Sequence, residues 1–346
     1  MSKVEQIRKD LNEIHTGYGM MSLTWAAKVV PVQQSHEAMK KVVDLAIENN
    51  TKAFFNVGEF YGPDLVNLKL VKSFFEKYPE LRSKVIISCK GAYNIETFQA
   101  TGKYDEVIAS IKRCCDAVGG YIDIFEPARL DLSILKEGEV YPRESFEAQA
   151  KMIEESFIGA ISLSEVTGEQ IRAVAKDWGK YLVCVELELS MFSRDILING
   201  TAKACSDLNL TIICYSPLGR GLLTGTVKAK APPKGEFKAM LKRFQGDALE
   251  HNLLLVQFLQ EEIVDKRPKD QQITLPQLAL GWVKKWQRSK TFPGANFIPI
   301  PSGSSASRVA ENFDEVKGKI TEDEFAKINE FLEHFEVIGD REEMNV

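Results

Sequence analysis

No stretch of this 346-residue chain approaches the roughly eighteen consecutive apolar residues that a membrane-spanning helix needs, so a bilayer is not its expected surroundings. Met1 to Asn12 is charged and carries no apolar core of signal-peptide length, which leaves a soluble cytoplasmic protein as the expectation. A surplus of positive charge is missing too. Lys and Arg number 44 against 49 Asp and Glu, a net charge of −5, so phosphate backbones and anionic membranes exert no broad attraction and nucleic acid is not an expected partner. Paired cysteine spacing is absent. Cys89, Cys114, Cys115, Cys184, Cys205 and Cys214 lie inside apolar strand or helix patterns, which reads as reduced core thiols and no metal site. The glycine fingerprint of a dinucleotide-binding Rossmann unit is lacking as well, since Gly219-Arg220-Gly221 runs on into Leu222-Leu223-Thr224-Gly225.

What the chain does contain is a period. With 44% apolar and 27% charged residues it can bury a large core, and its length suits either one large α/β barrel or two ordinary domains. Short apolar runs alternate with longer amphipathic ones from residue 17 to residue 315. The runs predict strands at Gly17 to Thr24, Lys52 to Val57, Val85 to Lys90, Tyr121 to Glu126, Ile158 to Leu163, Leu182 to Leu187, Thr211 to Tyr215 and Phe297 to Ile300. Helices fall between them at Ser35 to Asn49, Leu65 to Lys77, Tyr104 to Val118, Ser145 to Glu155, Gly168 to Trp178 and Asp195 to Leu208. Eight such units close into a (β/α)8 TIM barrel of class α/β, a single domain over 1–346 with its active site at the carboxyl ends of the strands. Thr226 to Gly246, rich in Lys, Pro and Gly, reads as a long surface loop or flap. Asp247 to Val264 and Thr274 to Lys285 read as further helices, Ile320 to His334 as a last helix outside the barrel, and Gly339 to Val346 as a frayed tail.

Two strand ends carry candidate chemistry. Asn56-Val57-Gly58-Glu59-Phe60-Tyr61-Gly62 brings a phenol just past the second strand, and Val85 to Gly91 delivers Lys90 to the end of the third. If the strands are parallel neighbours, the ammonium favours phenolate and lowers the Tyr61 pKa, making Tyr61 a usable proton donor near neutrality. Glu59 reads as a solvated loop charge. Trp25, beyond the first strand, reads as a pocket wall for an aromatic ring, with Phe60 and Arg129 as further lining. After strand seven, Tyr215-Ser216-Pro217-Leu218-Gly219-Arg220-Gly221 offers small residues whose amides can approach a phosphate. Past strand eight, Ser302-Gly303-Ser304-Ser305 leads into a helix pattern capped by Ser304 or Ser305 and containing Arg308, a set that suits an anion.

Gly58-Glu59-Phe60-Tyr61-Gly62, the strand-terminal Lys90, Ile161-Ser162-Leu163-Ser164-Glu165, the Tyr215 to Gly221 run, and Arg308 with Glu311-Asn312 resemble, in order, the motifs of the aldo-keto reductases. The likeness spans nearly the whole chain and is greatest to the yeast-type pyridoxal reductases. It implies NADPH extended across the barrel rim, hydride delivered to an aldehyde carbon, and Tyr61 protonating the alkoxide beside Lys90. Tyr215 would stack on the nicotinamide, and Ser164, Glu165 and Glu186 fall where the family holds the carboxamide, the last two replacing Asn and Gln. Ser216 and Leu218, with the following Gly219 and Arg220, would meet the pyrophosphate, and Ser302, Gly303, Ser304, Arg308, Glu311 and Asn312 the adenosine end. A basic residue usual at the Ser302 position is missing, so a preference for NADPH rests on Arg308. The family's catalytic tetrad has an aspartate where this chain has Asn56 and a histidine where it has Ala128. An unneutralised ammonium would depress Tyr61 further, while desolvation pushes Lys90 towards the neutral form. Glu126 shares strand parity with Ala128 and is the candidate for the missing negative charge. The resemblance thus implies reduction of a small aromatic aldehyde, pyridoxal to pyridoxine. With two tetrad positions changed, it also admits an NADP(H)-binding redox-sensing subunit with little turnover, or a reductase of another aldehyde or ketone.

Overall fold

The computed structural model describes residues 1–26, 28–228 and 237–341. Its main sheet has eight strands: β1 (Tyr18–Gly19), β2 (Ala53–Gly58), β3 (Val85–Gly91), β4 (Ile122–Pro127), β5 (Ile158–Ser164), β6 (Leu182–Glu188), β7 (Thr211–Tyr215) and β8 (Asn296–Pro299). Each pairs in parallel with its sequence neighbour. The ring closes where the Gly17 amide donates to Pro299 O at 2.9 Å and the Gly19 amide to Pro301 O at 3.2 Å. Glycine is required at this seam, because a Cβ on Gly19 would stand 2.6 Å from the Ile300 carbonyl oxygen. The alternation read from the sequence is therefore a closed (β/α)8 barrel.

Parallel strands covered on both faces are near-continuous apolar runs, and β2, β3, β5 and β6 are buried at every residue. Their outer faces pack on the surrounding helices. Inside the ring, Phe54, Ile86, Ile124, Ala160, Ile213 and Ile298 form an apolar plug at the amino-terminal end. That plug continues into Val4, Ile7, Leu11 and Ile14 of α1 (Lys3–Glu13), a helix that lies against β5 and β6. The sequence reading noted only charge there and missed α1. Its start is nonetheless encoded locally, since Ser2 and Glu5 form a reciprocal capping box. The same device starts the helices Gly168–Trp178, Leu275–Lys285 and Glu322–His334, from Thr167, Thr274 and Thr321.

Four expectations are corrected. The first strand is only Tyr18–Gly19, and Met21–Thr24 is a helical turn instead. Asp195 to Leu208 is two helices, Asp195–Ile198 and Thr201–Asp207, broken at Gly200 with φ 89°. In the expected surface loop Thr226 to Gly246, residues 229–236 lie outside the described residues, whereas Leu241, Arg243 and Phe244 are buried, the two apolar ones in the core between barrel and helices. Of the expected frayed tail, residues 342–346 lie outside the described residues. Gly339 to Arg341 is tied down: Arg243 Nε donates to the Gly339 carbonyl at 3.1 Å, and Arg341 reaches the barrel mouth. Among the described residues no helix is long and apolar enough to cross a membrane, no cluster of metal-ligand type occurs, and all six cysteines are free and buried.

Candidate active site

Polarity inside the ring rises from the amino to the carboxyl ends of the strands. Above the apolar plug come Asn56, Ser88 and Ser162, and above those Lys90, Glu126, Ser164 and Glu186, all buried. Side chains alternate along a strand, so Glu186 faces inward only because of an irregularity in β6. Against β5, Ile161 pairs with Leu182 but Ser162 pairs with Cys184, leaving Val183 as an extra residue. This bulge resets the alternation, so Leu182, Val185 and Leu187 pack outward while Cys184 packs into the interior. Glu186 and Glu188 follow Cys184 in parity. No sequence signal marks the bulge, because Leu182-Val183-Cys184-Val185 is apolar throughout.

Tyr61, Lys90 and Asn56 come together at the carboxyl end. β2 and β3 are neighbours with Gly58 opposite Lys90, and Glu59 N donates to the Lys90 carbonyl at 2.8 Å, which folds the loop carrying Tyr61 back over the mouth. Glu59 is no solvated charge. Its buried carboxylate accepts from Arg113 Nε at 2.9 Å, Ser110 Oγ at 2.5 Å and the Ala92 amide at 3.2 Å, a clamp that fixes the loop. Tyr61 Oη lies 3.4 Å from Asn56 Oδ1, and the Lys90 charge acts on it from the neighbouring strand end.

The counter-ion of Lys90 is Glu186. Lys90 Nζ donates to Glu186 Oε1 at 2.5 Å, and Asn56 Nδ2 donates to Glu186 Oε2 at 2.6 Å. Glu126 does point into the barrel, opposite Lys90 in register, but its bonded partner is Ser162 Oγ at 2.7 Å. The balance of the opposing influences on the two pKa values follows from this arrangement. Burial pushes the Tyr61 phenol well above its ordinary value, and the Glu186 and Glu126 carboxyls add to that, against the lowering by Lys90. Burial, the largest single influence, pushes Lys90 down, but the charge and hydrogen bond of Glu186 together with Tyr61 and Glu126 outweigh it and hold the ammonium well above the usual lysine range. Tyr61 thus keeps its proton and Lys90 its charge. Ala128 is buried beside this group and brings no polar atom to it.

Next round the rim stand the residues expected to meet a cofactor. Lys90 Nζ lies 5.0 Å from the centroid of the Tyr215 ring. Ser164 Oγ is buried with no hydrogen-bond partner among the described residues. Glu165 is bound by Arg341, whose Nη1 also donates to Tyr215 Oη at 3.1 Å and lies 3.5 Å from Glu188 Oε2. Burial opposes the Glu165 charge, but the Arg341 bond and the charges of Arg341 and Arg129 hold its carboxyl below the usual range. Arg341 is the functional candidate that the sequence reading missed, since it lies in a tail expected to fray. Arg220 pairs with Glu188 at 3.2 Å. Ser216, Gly219 and Arg220 all have positive φ, and the turn they form binds the Gly219 amide to Ser216 O and the Gly221 amide to Leu218 O.

On the side of β1 and β2, Trp25 and Phe60 meet edge to face at 6.4 Å, and Phe60 meets Tyr61 at 5.3 Å and Tyr93 at 5.2 Å, so the expected aromatic wall gains Tyr93. Arg129 Nη1 donates to the Ala128 carbonyl at 2.7 Å, and its charge acts on Glu165. Beyond β8, Tyr18 Oη donates to the Gly303 carbonyl and Gln34 Nε2 to that of Ser304, while Asn312 Nδ2 donates to the Ser302 carbonyl. Ser305 caps the short helix Ala306–Asn312 by accepting from Arg308 N at 3.3 Å, and the half-exposed Arg308 stands 3.8 Å from Glu311.

Comparison with known proteins agrees with this geometry. Residues 16–333 match the model of the "Aldo/keto reductase family". The chain is 59% identical over 342 residues to a Saccharomyces cerevisiae protein named "Putative pyridoxal reductase", covering 99% of both chains. It is 30% identical to a Schizosaccharomyces pombe protein named "Probable pyridoxal reductase 2", over 93% of this chain and 92% of that one. A further S. pombe protein, named "Aldo-keto reductase yakc [NADP(+)]", is 33% identical over 59% of this chain and 57% of its own. A closed barrel with a tyrosine and a lysine at its mouth, matched along its length by that family's model, belongs to the aldo/keto reductase family of oxidoreductases.

Proposed function

We propose that this protein reduces a small aromatic aldehyde with NADPH, and that pyridoxal is its substrate and pyridoxine its product. The observation that carries the reading is the Tyr61 hydroxyl 3.4 Å from Asn56 Oδ1, with the Lys90 ammonium on the neighbouring strand end and 5.0 Å from the Tyr215 ring centroid. The residues present fit a nicotinamide dinucleotide. A buried Ser164 hydroxyl without a partner is a donor awaiting an amide oxygen, and Tyr215 offers a flat face at the strand ends. Ser216 and Leu218 would hold the pyrophosphate, and the Ser302 to Asn312 segment the adenosine, with Arg308 favouring the 2′-phosphate of NADPH. When bound, the cofactor supplies the hydride.

The chain's own residues supply the proton. Reduction of a carbonyl develops an alkoxide, and a neutral phenol is the correct protonation state to donate to it. As Tyr61 gives up its proton, the adjacent Lys90 charge stabilises the phenolate that forms, an electrostatic aid that grows only along the reaction. Glu186 takes the role of the family's aspartate from a different strand, and Asn56 then has to be neutral because it donates to Glu186. Trp25, Phe60 and Tyr93 suit a flat pyridine ring against which the aldehyde is oriented. The names of the S. cerevisiae and S. pombe relatives support pyridoxal as the substrate.

Single-turnover mixing of the protein with NADPH and a panel of aldehydes, followed by cofactor absorbance, tests the reading. Fast oxidation with pyridoxal that Tyr61→Phe removes is the expected result. Tight cofactor binding with no turnover on any aldehyde would replace the reading with a redox-sensing subunit, and turnover on another carbonyl with none on pyridoxal would replace the substrate.

A further inference from the structure

Beneath the Lys90 ammonium lie two acids, and the hydrogen-bond pattern distinguishes them. Glu186 accepts on both oxygens, from Lys90 and from Asn56, the pattern of an ionised carboxylate. Glu126, fully buried one strand from Lys90, accepts only from Ser162 Oγ on Oε2. Its Oε1 meets no donor among the described residues, and both acids converge on the Lys90 ammonium, Glu126 opposite Lys90 in register and Glu186 bonded to it. Two adjacent carboxylates sharing one ammonium do not both ionise in a dry interior. The oxygen that lacks a donor is the one with room for a proton.

We propose that Glu126 is a positioning residue: a buried, un-ionised carboxylic acid that donates its own proton to Glu186 and so holds Glu186 against Lys90. The un-ionised acid leaves the cluster of Tyr61, Asn56, Lys90, Glu186 and Glu126 electrically neutral, with one ammonium and one carboxylate. It also accounts for a glutamate at this depth, where a second negative charge would pull Lys90 away from Tyr61. Burial and the neighbouring Glu186 charge act in the same direction on the Glu126 acid. The groups facing it are Lys90 on β3, Ser162 on β5, Cys184 and Glu186 on β6, and Tyr61 past β2, and Cys184 is itself kept a neutral thiol chiefly by burial. The assignment refines the site proposed above, but its first two tests need no turnover and so fail or succeed apart from that reading.

Infrared spectroscopy of the protein in H2O and D2O reads the acid directly. The wild type should show the carbonyl stretch of an un-ionised carboxylic acid at neutral pH, and Glu126→Gln should lose it. Ser162→Ala, which removes the hydroxyl bond to Glu126 Oε2, should shift the same band and serves if Glu126→Gln does not fold. No such band, or a band untouched by these changes, overturns the proposal. Stability against pH gives a second reading. An acid whose folded pKa is raised contributes fully below the unfolded carboxyl value near about 4.3 and loses that contribution as pH rises through the folded value. The wild type should therefore lose stability relative to Glu126→Gln as pH rises above the ordinary carboxyl range, and parallel curves count against it. For turnover, Glu126→Leu fills the volume but donates nothing and should lower kcat about tenfold or more with less change in KM. Glutamine, which donates to Glu186 and accepts from Ser162, should restore most of that loss. A glutamine variant as impaired as the leucine one would mean that Glu126 works as an anion, and the proposal fails.

Discussion

Tyr61, the proposed proton donor, is protected rather than activated in the resting state. Its phenol is raised by burial, and the stabilising Lys90 charge matters only once the proton starts to leave. Tyr61→Phe should accordingly lower kcat by about a hundredfold to ten-thousandfold with pyridoxal and leave NADPH affinity nearly unchanged, measurable by cofactor titration and steady-state kinetics. Glu186→Gln breaks a buried pair and should cost about 3–5 kcal/mol in chemical denaturation, towards the lower figure because Glu126 remains near Lys90 and is freed to ionise. The pH dependence follows from Lys90. Its folded value is raised, so its contribution is complete below the ordinary lysine range and is lost only as pH rises through the still higher folded value. The deficit of Glu186→Gln should thus narrow above about pH 10, and below that it narrows as pH rises past the ordinary carboxyl range, because the wild type alone carries the raised Glu126 acid. The sequence was legible here as to which residues meet, since Asn56, Tyr61 and Lys90 sit on adjacent strand ends. Their charge states were not, because the deciding carboxylate lies 96 residues beyond Lys90 and faces it only through an unmarked bulge.

Among the elements, those with a strong period or a cap were readable and those that depend on distant packing were not. Apart from β1, the strands and the long helices fall within a few residues of the expected spans. The segment after β7 misled because Lys, Pro and Gly dominate its composition, while the two apolar residues Leu241 and Phe244 at its end fold into the core. Arg243 between them is buried yet bonded to Gly339 and to Ser193 Oγ, which anchors the tail that brings Arg341 to Glu165. Phe244→Ala should therefore cost about 3–5 kcal/mol in thermal or chemical unfolding, as for a core aromatic, whereas the surface-loop expectation gives a change within about 0.5 kcal/mol. The tail's docking explains why composition alone failed there: the ties are made to residues more than ninety positions away.

For the whole molecule, the decisive feature is the joint between the first and last strands. β1 contributes two residues, and its approach to the chain after β8 depends on the absence of a side chain at Gly19. Gly19→Ala would force the two backbones apart and should cost about 1–3 kcal/mol, read as a lowered midpoint in denaturant with little change in slope. Alternation of runs predicted a ring but could not show how it fastens, because the bonds of Gly17 and Gly19 reach across almost the entire chain. That fastening makes the molecule behave like a barrel with a single narrow stave. Until residues 299–301 have been synthesised and folded, the amides at 17 and 19 lack these acceptors, so the barrel mouth, at the same carboxyl ends of the strands, is completed late in folding. Deuterium exchange at those two amides is consequently a sensitive gauge of the assembled state: they should exchange as slowly as the innermost strands, and open only when everything else does.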